Sequence, residues 1–229
     1  MTTIDLLIFD CDGVLIDSEP VASRTLAEAL QRAGIPVSAS EAHHLFTGYS
    51  EKEIRRMCAS KFGLEDADRV FSEWHGEIYQ AFARSLRPMP GMEPLIWTLP
   101  QRKCVASNSS IERLQKSLGL FDLWRAFAPH VFSAEMVTRP KPAPDLFLHC
   151  ARHFSVEPSR CLVVDDSPHG IIGAVAAGMQ AIGFVDPADP REGRRDILAK
   201  AGAGLVVTGA DELAFMLKRQ WPGAIAEGL

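Results

Sequence analysis

Four short polar clusters in this chain carry side chains suited to chemistry. Asp10 and Asp12 stand in Asp10-Cys11-Asp12-Gly13, directly after the stretch 4–9, apolar but for Asp5. Ser107-Asn108-Ser109 and Asp165-Asp166-Ser167 follow two further apolar runs, and Lys141 lies in the proline-rich stretch from Arg139 to Asp145. Carboxylates spaced like Asp10 and Asp12 at a strand's end can face one cavity, and Gly13 lets the backbone turn tightly behind them. Such a pair can hold a hard cation through oxygen, or divide nucleophilic and acid–base work between its members. Taken alone, Asp-x-Asp-Gly is as readily a solvated turn. The other three clusters decide against that reading.

The elements that must position these residues are legible from apolar patterning. The run 6–9 reads as a buried parallel strand, too short for a helix and ending abruptly in charge. Further strands are predicted at 103–107, 130–132, 161–164, 180–185 and 204–207, with helices at 93–99, 110–118, 144–154, 167–177 and 211–219. This alternation predicts an α/β fold: a Rossmann-like parallel sheet with helices on both faces. Residues 17–88 show no strand signal. Ser18 and Pro20 open a first helix that Gly34 ends, and Ser40 starts a second that closes near Gly48. Ser50 and Glu53 form a capping box for a third, with Ile54, Met57 and Cys58 inward, and a fourth covers about 65–86. The expected organisation is a core of residues 1–16 and 89–229 with an all-helical cap, 17–88, inserted after the first strand.

Open parallel sheets bind ligands at the carboxyl ends of their strands. Asp10 and Asp12, Ser107 and Asn108, and Asp165 and Asp166 all fall at such ends, with Lys141 nearby. Four acids, a hydroxyl, a lysine and two helix N-termini on one edge suit a phosphate held with Mg²⁺: carboxylates take the metal, while amides, hydroxyl and lysine take the anion.

Composition narrows the rest. The 229 residues, 47% hydrophobic and 23% charged, are those of a soluble globular chain, and a net charge of −5 argues against nucleic acid or an anionic membrane as partner. The five cysteines are scattered without a Cys-x-x-Cys pair, which reads as reduced thiols in the cytoplasm. The start of the sequence has no secretory pattern, and the longest apolar run, 171–185, is too short to span a bilayer. Oligomeric state is not readable, and a monomer is compatible with everything above.

In order along the chain, the Asp10–Asp17, Val105–Ser109, Lys141–Asp145 and Val163–Ser167 motifs resemble those of the haloacid dehalogenase superfamily. The resemblance is to phosphohydrolases with a helical cap, in the group of small-molecule phosphatases related to β-phosphoglucomutase. It implies that Asp10 is the nucleophile forming an aspartyl-phosphate, with Asp12 as acid and base. Ser107 and the Asn108 amide would bind a phosphoryl oxygen, and Lys141 would neutralise charge. Mg²⁺ would be held by Asp10, Asp12 (through its carbonyl) and Asp166, while Asp165 orients Lys141 or metal-bound water. Asp12 argues against the dehalogenase branch, which lacks that aspartate.

Residues Thr47, Gly48, Tyr49, Ser50 and Glu51 resemble the cap's substrate-specificity loop. They depart from the mutase pattern, which has Lys and Arg where Thr47 and Glu51 stand, and a histidine near Ala22. Glu51 would then repel a second phosphate. The resemblance therefore implies a Mg²⁺-dependent phosphatase of a small phosphorylated metabolite, such as a sugar phosphate or sugar-acid phosphate, with a phosphosugar mutase as the alternative. A receiver-like signalling domain would place its acidic pair before the phosphoacceptor, the reverse of the order here. A non-catalytic homologue would lack at least one core motif residue. His149 and His153, four apart, could offer zinc ligands, but an exposed helix face is the simpler reading. Residues 191–195 read as a solvated loop.

Overall fold

A computed structural model of the chain describes residues 3–47 and 49–221. The described residues fall into two compact units, residues 1–16 with 88–229 and residues 17–87. The first is built on six parallel strands: β1 (Leu6–Phe9), β2 (Arg102–Ser107), β3 (Val131–Ser133), β4 (Cys161–Asp165), β5 (Gln180–Val185) and β6 (Leu205–Thr208). Their order, β3-β2-β1-β4-β5-β6, puts the topological switch at the β1–β4 boundary, with Phe9 paired to Val105 on one side and to Val164 on the other. The crevice at such a switch is where open α/β sheets bind ligands. This is the α/β arrangement the alternation predicts.

Period two along a strand that is buried on both faces gives each helical layer its own set of side chains. Leu6, Ile8, Cys104, Ala106, Cys161 and Val163 form one buried cluster with Leu146, Phe147 and Cys150 of α8 (Asp145–Phe154) and Ile171 and Ala174 of α9 (Pro168–Ala176). On the other face, Phe9 meets Phe127 edge to face, their ring centroids 5.9 Å apart. Phe127 belongs to α7 (Leu123–Phe127), a helix too short to leave a periodic signature in the sequence. The α10 helix (Arg194–Lys200) begins where patterning predicts a solvated loop. That expectation fails because Arg194 and Leu198 are both buried.

The second unit comprises α1 (Glu19–Arg32), α2 (Ala39–Phe46), α3 (Glu51–Phe62) and α4 (Ala67–Ser85). Ser38, not Ser40, starts α2. Its hydroxyl accepts the Glu41 N–H while the Glu41 carboxylate takes the Ser38 N–H, a reciprocity Ser40 cannot have with His43 three residues on. The box of Ser50 and Glu53 on α3 forms as expected. Ile54 and Cys58 are buried, while Met57 is half-buried. Ser18 occupies the N-cap of α1 without a capping hydrogen bond from its side chain. Inside the unit, the Trp74 indole donates to the buried Thr25 hydroxyl (2.9 Å), tying α4 to α1.

At the junction the crossings are paired by backbone. Met89 N–H donates to the Leu15 carbonyl, Ile16 bridges Pro88, and Asp17 N–H donates to the Arg87 carbonyl. Helices α5 (Met92–Thr98), α6 (Ile111–Ser117) and α11 (Gly209–Gln220) complete the first unit. None of the described helices is long and apolar enough to cross a membrane.

Phe147 is fully buried beneath β1, β2 and β4. Phe147→Ala should cost the first unit about 3–5 kcal/mol, through lost burial and the cavity left behind. Urea unfolding followed by circular dichroism measures it; a loss below about 1 kcal/mol would mean the layer is less tightly packed than described.

Candidate active site

Asp10 directly follows β1, and its N–H extends the parallel ladder by bonding the Val164 carbonyl at 2.9 Å. The chain then turns sharply, with the Cys11 carbonyl accepting from Leu15 and Ile16 and Gly13 donating to the Ile16 carbonyl. Gly13 takes φ +76°, and a Cβ there would come within 2.6 Å of Asp166 Oδ2. Both constraints demand glycine. They also press the turn against the second acidic cluster.

Asp165 ends β4 with no exposed surface. Its Oδ1 accepts from the Ser167 amide (2.9 Å) and hydroxyl (2.8 Å), and its Oδ2 accepts from Lys141 Nζ at 2.7 Å. Ser167 in turn caps α9 by accepting the Gly170 N–H. Lys141 Nζ also lies 3.1 Å from Asp10 Oδ1 and 5.2 Å from the Phe147 ring centroid. Asn108 holds this lysine's backbone from both sides, its amide donating to the Lys141 carbonyl and its Oδ1 accepting the Lys141 N–H. The Asn108 side chain is thus a clasp for the Lys141 segment.

Ser107 ends β2, buried, and its hydroxyl accepts the Ser109 N–H at 3.1 Å. Ser109, although followed by Glu112 three residues on as in a capping box, does not cap α6. Ser110 takes that place by accepting the Arg113 N–H, because its extended backbone aims Oγ at the helix. Ser109 Oγ donates instead to Asp12 Oδ2 at 2.7 Å, and Arg113 Nη2 lies 3.4 Å from Asp12 Oδ1.

Ligand oxygens from Asp10, Asp165 and Asp166 lie within 4.8 Å of one another. Burial, chiefly, pushes the Asp10 carboxyl well above its usual range; Lys141 opposes this, and Asp165, Asp166 and Asp12 reinforce it. Burial alone would lower the Lys141 ammonium, but Asp10 and Asp165 outweigh it and leave it raised. Two buried carboxylates and a partly buried third, all oxygen donors, fit a divalent cation. With both Asp165 oxygens engaged by protein donors, Asp10 and Asp166 are the side chains best placed to meet it.

Of the residues singled out by sequence, Asp10, Asp12, Ser107, Asn108, Lys141, Asp165 and Asp166 gather at one sheet edge. Thr47, Tyr49, Ser50 and Glu51 belong to the second unit, and Gly48 lies outside the described residues. Thr47 Oγ1 lies 3.3 Å from His43 Nδ1, and the Ser50 hydroxyl is closed into its capping box. Tyr49 is exposed at 37%. Glu51 bonds Arg55 (2.7 Å) and His75 (2.6 Å); burial would raise its carboxyl, but these partners hold it below its usual value. Its carboxylate is thus engaged by partners of its own unit, one of which, Arg55, also pairs with Asp68. His153 contacts His130 at 3.2 Å, and the acidic group is the one set of potential metal ligands among the described residues.

Residues 4–178 match the family described as haloacid dehalogenase-like hydrolase. The 6-phosphogluconate phosphatase of Escherichia coli is 31% identical over 194 residues, 83% of this chain and 86% of that protein. A haloacid dehalogenase-like protein of Agrobacterium tumefaciens, of unknown function, is 36% identical with a TM-score of 0.81, covering 95% of this chain and 99% of that one. A hydrolase of this kind from Deinococcus radiodurans, solved with bound phosphate and sodium, is 26% identical with a TM-score of 0.78, over 96% and 97% of the two chains.

Patterning misses Gly170. A Cβ there would fall 1.9 Å from the Asp165 carboxyl carbon. Gly170→Ala should displace Asp165 from Lys141, with a stability loss of about 1–3 kcal/mol and a marked drop in turnover. Thermal unfolding and phosphatase assays check it; a variant with unchanged melting temperature and activity would contradict the close contact.

Proposed function

The chain belongs to the haloacid dehalogenase-like hydrolase family and is a phosphatase, and we propose that it uses Mg²⁺ to hydrolyse a small sugar phosphate or sugar-acid phosphate through an aspartyl-phosphate at Asp10. The observation that carries this reading is Lys141 Nζ, buried between Asp10 (3.1 Å) and Asp165 (2.7 Å) beside Asp166. That ammonium can offset the charge of a phosphoryl group arriving at Asp10.

An Asp10 carboxylate oxygen attacks phosphorus, and the bond to the leaving oxygen breaks as Asp12 delivers a proton to it. Asp12 then takes a proton from water, which attacks the same phosphorus, restoring the Asp10 carboxylate and releasing inorganic phosphate. Ser109 Oγ and Arg113 Nη2, 2.7 and 3.4 Å from its two oxygens, orient the Asp12 side chain. The Ser107 hydroxyl and the Asn108 backbone N–H bind phosphoryl oxygens. Asp10, Asp166 and the Asp12 carbonyl would hold Mg²⁺, which when bound supplies charge stabilisation for the transferring phosphoryl group.

The substrate class is supported by the 6-phosphogluconate phosphatase relative, and phosphate in the Deinococcus hydrolase supports the anion site. The mutase reading loses ground because Thr47 and Glu51 stand where that pattern has cations. We assign the choice among leaving groups to Thr47 and Tyr49, since the core groups face a phosphoryl common to every candidate. A cytoplasmic setting fits five free cysteines, all buried.

Asp10→Asn should abolish turnover while preserving the fold, since the amide is isosteric but a very poor nucleophile. Release of inorganic phosphate above a few per cent of wild type would refute Asp10 as nucleophile. Thr47→Ala should reorder kcat/KM across a panel of phosphorylated sugars and sugar acids, whereas Ser107→Ala should lower it for all of them. An unchanged ranking in Thr47→Ala would move the selection elsewhere.

A further inference from the structure

Between β5 and α10 a chain of ionic contacts runs inward and ends on Asp166. The Asp189 carboxylate accepts from Arg191 Nε at 2.8 and 3.0 Å and from Arg191 Nη2 at 2.7 Å. On its other side it faces Arg194 Nε at 3.3 Å. Arg194 is 8% exposed, and its Nη2 donates to the main-chain carbonyl of Asp166. The same nitrogen is 3.9 Å from Asp166 Oδ2, beyond hydrogen-bond distance. Next to it, Arg195 ties the start of α10 to β6 by donating to the Val206 carbonyl (2.6 Å) and the Thr208 hydroxyl (2.7 Å).

We infer that Arg194 is a positioning residue for the divalent cation: by gripping the Asp166 carbonyl it fixes the backbone from which the Asp166 carboxylate reaches the Asp10–Asp165–Asp166 group. The inference rests on the reading of Asp166 as a metal ligand. Three observations converge on it. The guanidinium makes its hydrogen bond to the backbone of Asp166 and approaches the carboxylate only to 3.9 Å. Its plane is itself set by Asp189, which Arg191 and Arg194 together hold below its usual carboxylate range against the opposing effect of burial. At the carboxylate itself, the missing Cβ of Gly13 is what makes room for Asp166 Oδ2 against that turn, so backbone and carboxylate are both closely packed. A planar guanidinium that donates through Nη2 while its Nε lies in ion-pair contact with Asp189 spans two partners as the single ammonium of lysine does not. Partners one step removed from a metal typically change its affinity by about 10–100-fold.

Were the charge of Arg194 its main effect, the guanidinium would repel a cation and its removal would tighten binding. The two roles therefore predict opposite signs. The test is titration of the full-length, metal-free protein with Mn²⁺, following free Mn²⁺ by electron paramagnetic resonance, with thermal unfolding alongside. Arg194→Met is expected to bind Mn²⁺ about tenfold more weakly. Arg194→Lys, which keeps the charge but not the fork, is expected to bind more weakly as well, and it decides the matter if the methionine variant does not melt cooperatively. Wild-type or tighter affinity in either folded variant would overturn the assignment. Asp166→Ala separates the two levels. If it binds Mn²⁺ as wild type does, the ligand reading itself fails; if it loses binding while the Arg194 variants keep theirs, only the positioning role fails.

Discussion

Everything in the first unit depends on the ion pair of Lys141 with Asp10 and Asp165. Taking a carboxylate or ammonium out of water costs roughly several kcal/mol per ion even after relaxation. Lys141 and Asp165 are almost wholly buried, at 2% and 0% side-chain exposure. The interaction is tolerable because nearly every polar valence around it is filled: Ser167 twice on Asp165, Lys141 once, and Asn108 on the lysine backbone. The exception is Asp10, whose Oδ1 is buried without a hydrogen-bond donor although Lys141 Nζ lies 3.1 Å away, in the same small space as Asp165 and Asp166. A divalent cation there would offset that concentration of negative charge.

The sheet topology explains why these groups meet at all. Asp10 and Asp165 come from neighbouring strands at the place where strand order reverses, so the loops that follow them leave in different directions and open a crevice. Clearance is then set by residues that have no side chain. Gly13 and Gly170 each stand where a Cβ would collide with a carboxylate, of Asp166 and Asp165 respectively. Acids this close repel one another, and close backbone packing is what prevents them from swinging apart into solvent. The site is held as much by exclusion of alternatives as by attraction.

The parts of this arrangement that follow from local pattern were legible in the sequence. Each strand that carries a site residue is an apolar run ending in polar groups, because burial on both faces forces the run and the ligand edge ends it. Lys141 was assigned to that edge on its charge and not on pattern, since a loop of prolines has no periodicity to read. Ser109 could not be told from Ser110 as a helix cap, because the choice turns on which residue has the extended backbone, and two adjacent serines look alike in sequence. Arg194 was hidden for a different reason. A run rich in arginine, glutamate and aspartate has the composition of a solvated loop, and only tertiary packing reveals that one arginine faces inward.

A similar lesson applies to the segment between α2 and α3, where sequence supplies charge but not its balance. Read singly, Glu51 is an anion that would oppose any second phosphate. In place it is enclosed by Arg55 and His75, and Arg55 also reaches Asp68. Ser50 spends its hydroxyl on Glu53, and Thr47 stands within reach of His43, which also lies 3.3 Å from the Ser23 hydroxyl. The segment thus presents hydrogen-bonding groups whose net charge is largely cancelled locally. A surface of that kind discriminates by shape and by hydroxyl pattern, because a ligand that leaves buried polar groups unpaired is penalised whereas a merely charged one meets little field. Under the proposed function, such a segment would sort leaving groups by hydroxyl pattern, and the lack of a cation at positions 47 and 51 would weigh against a second phosphate.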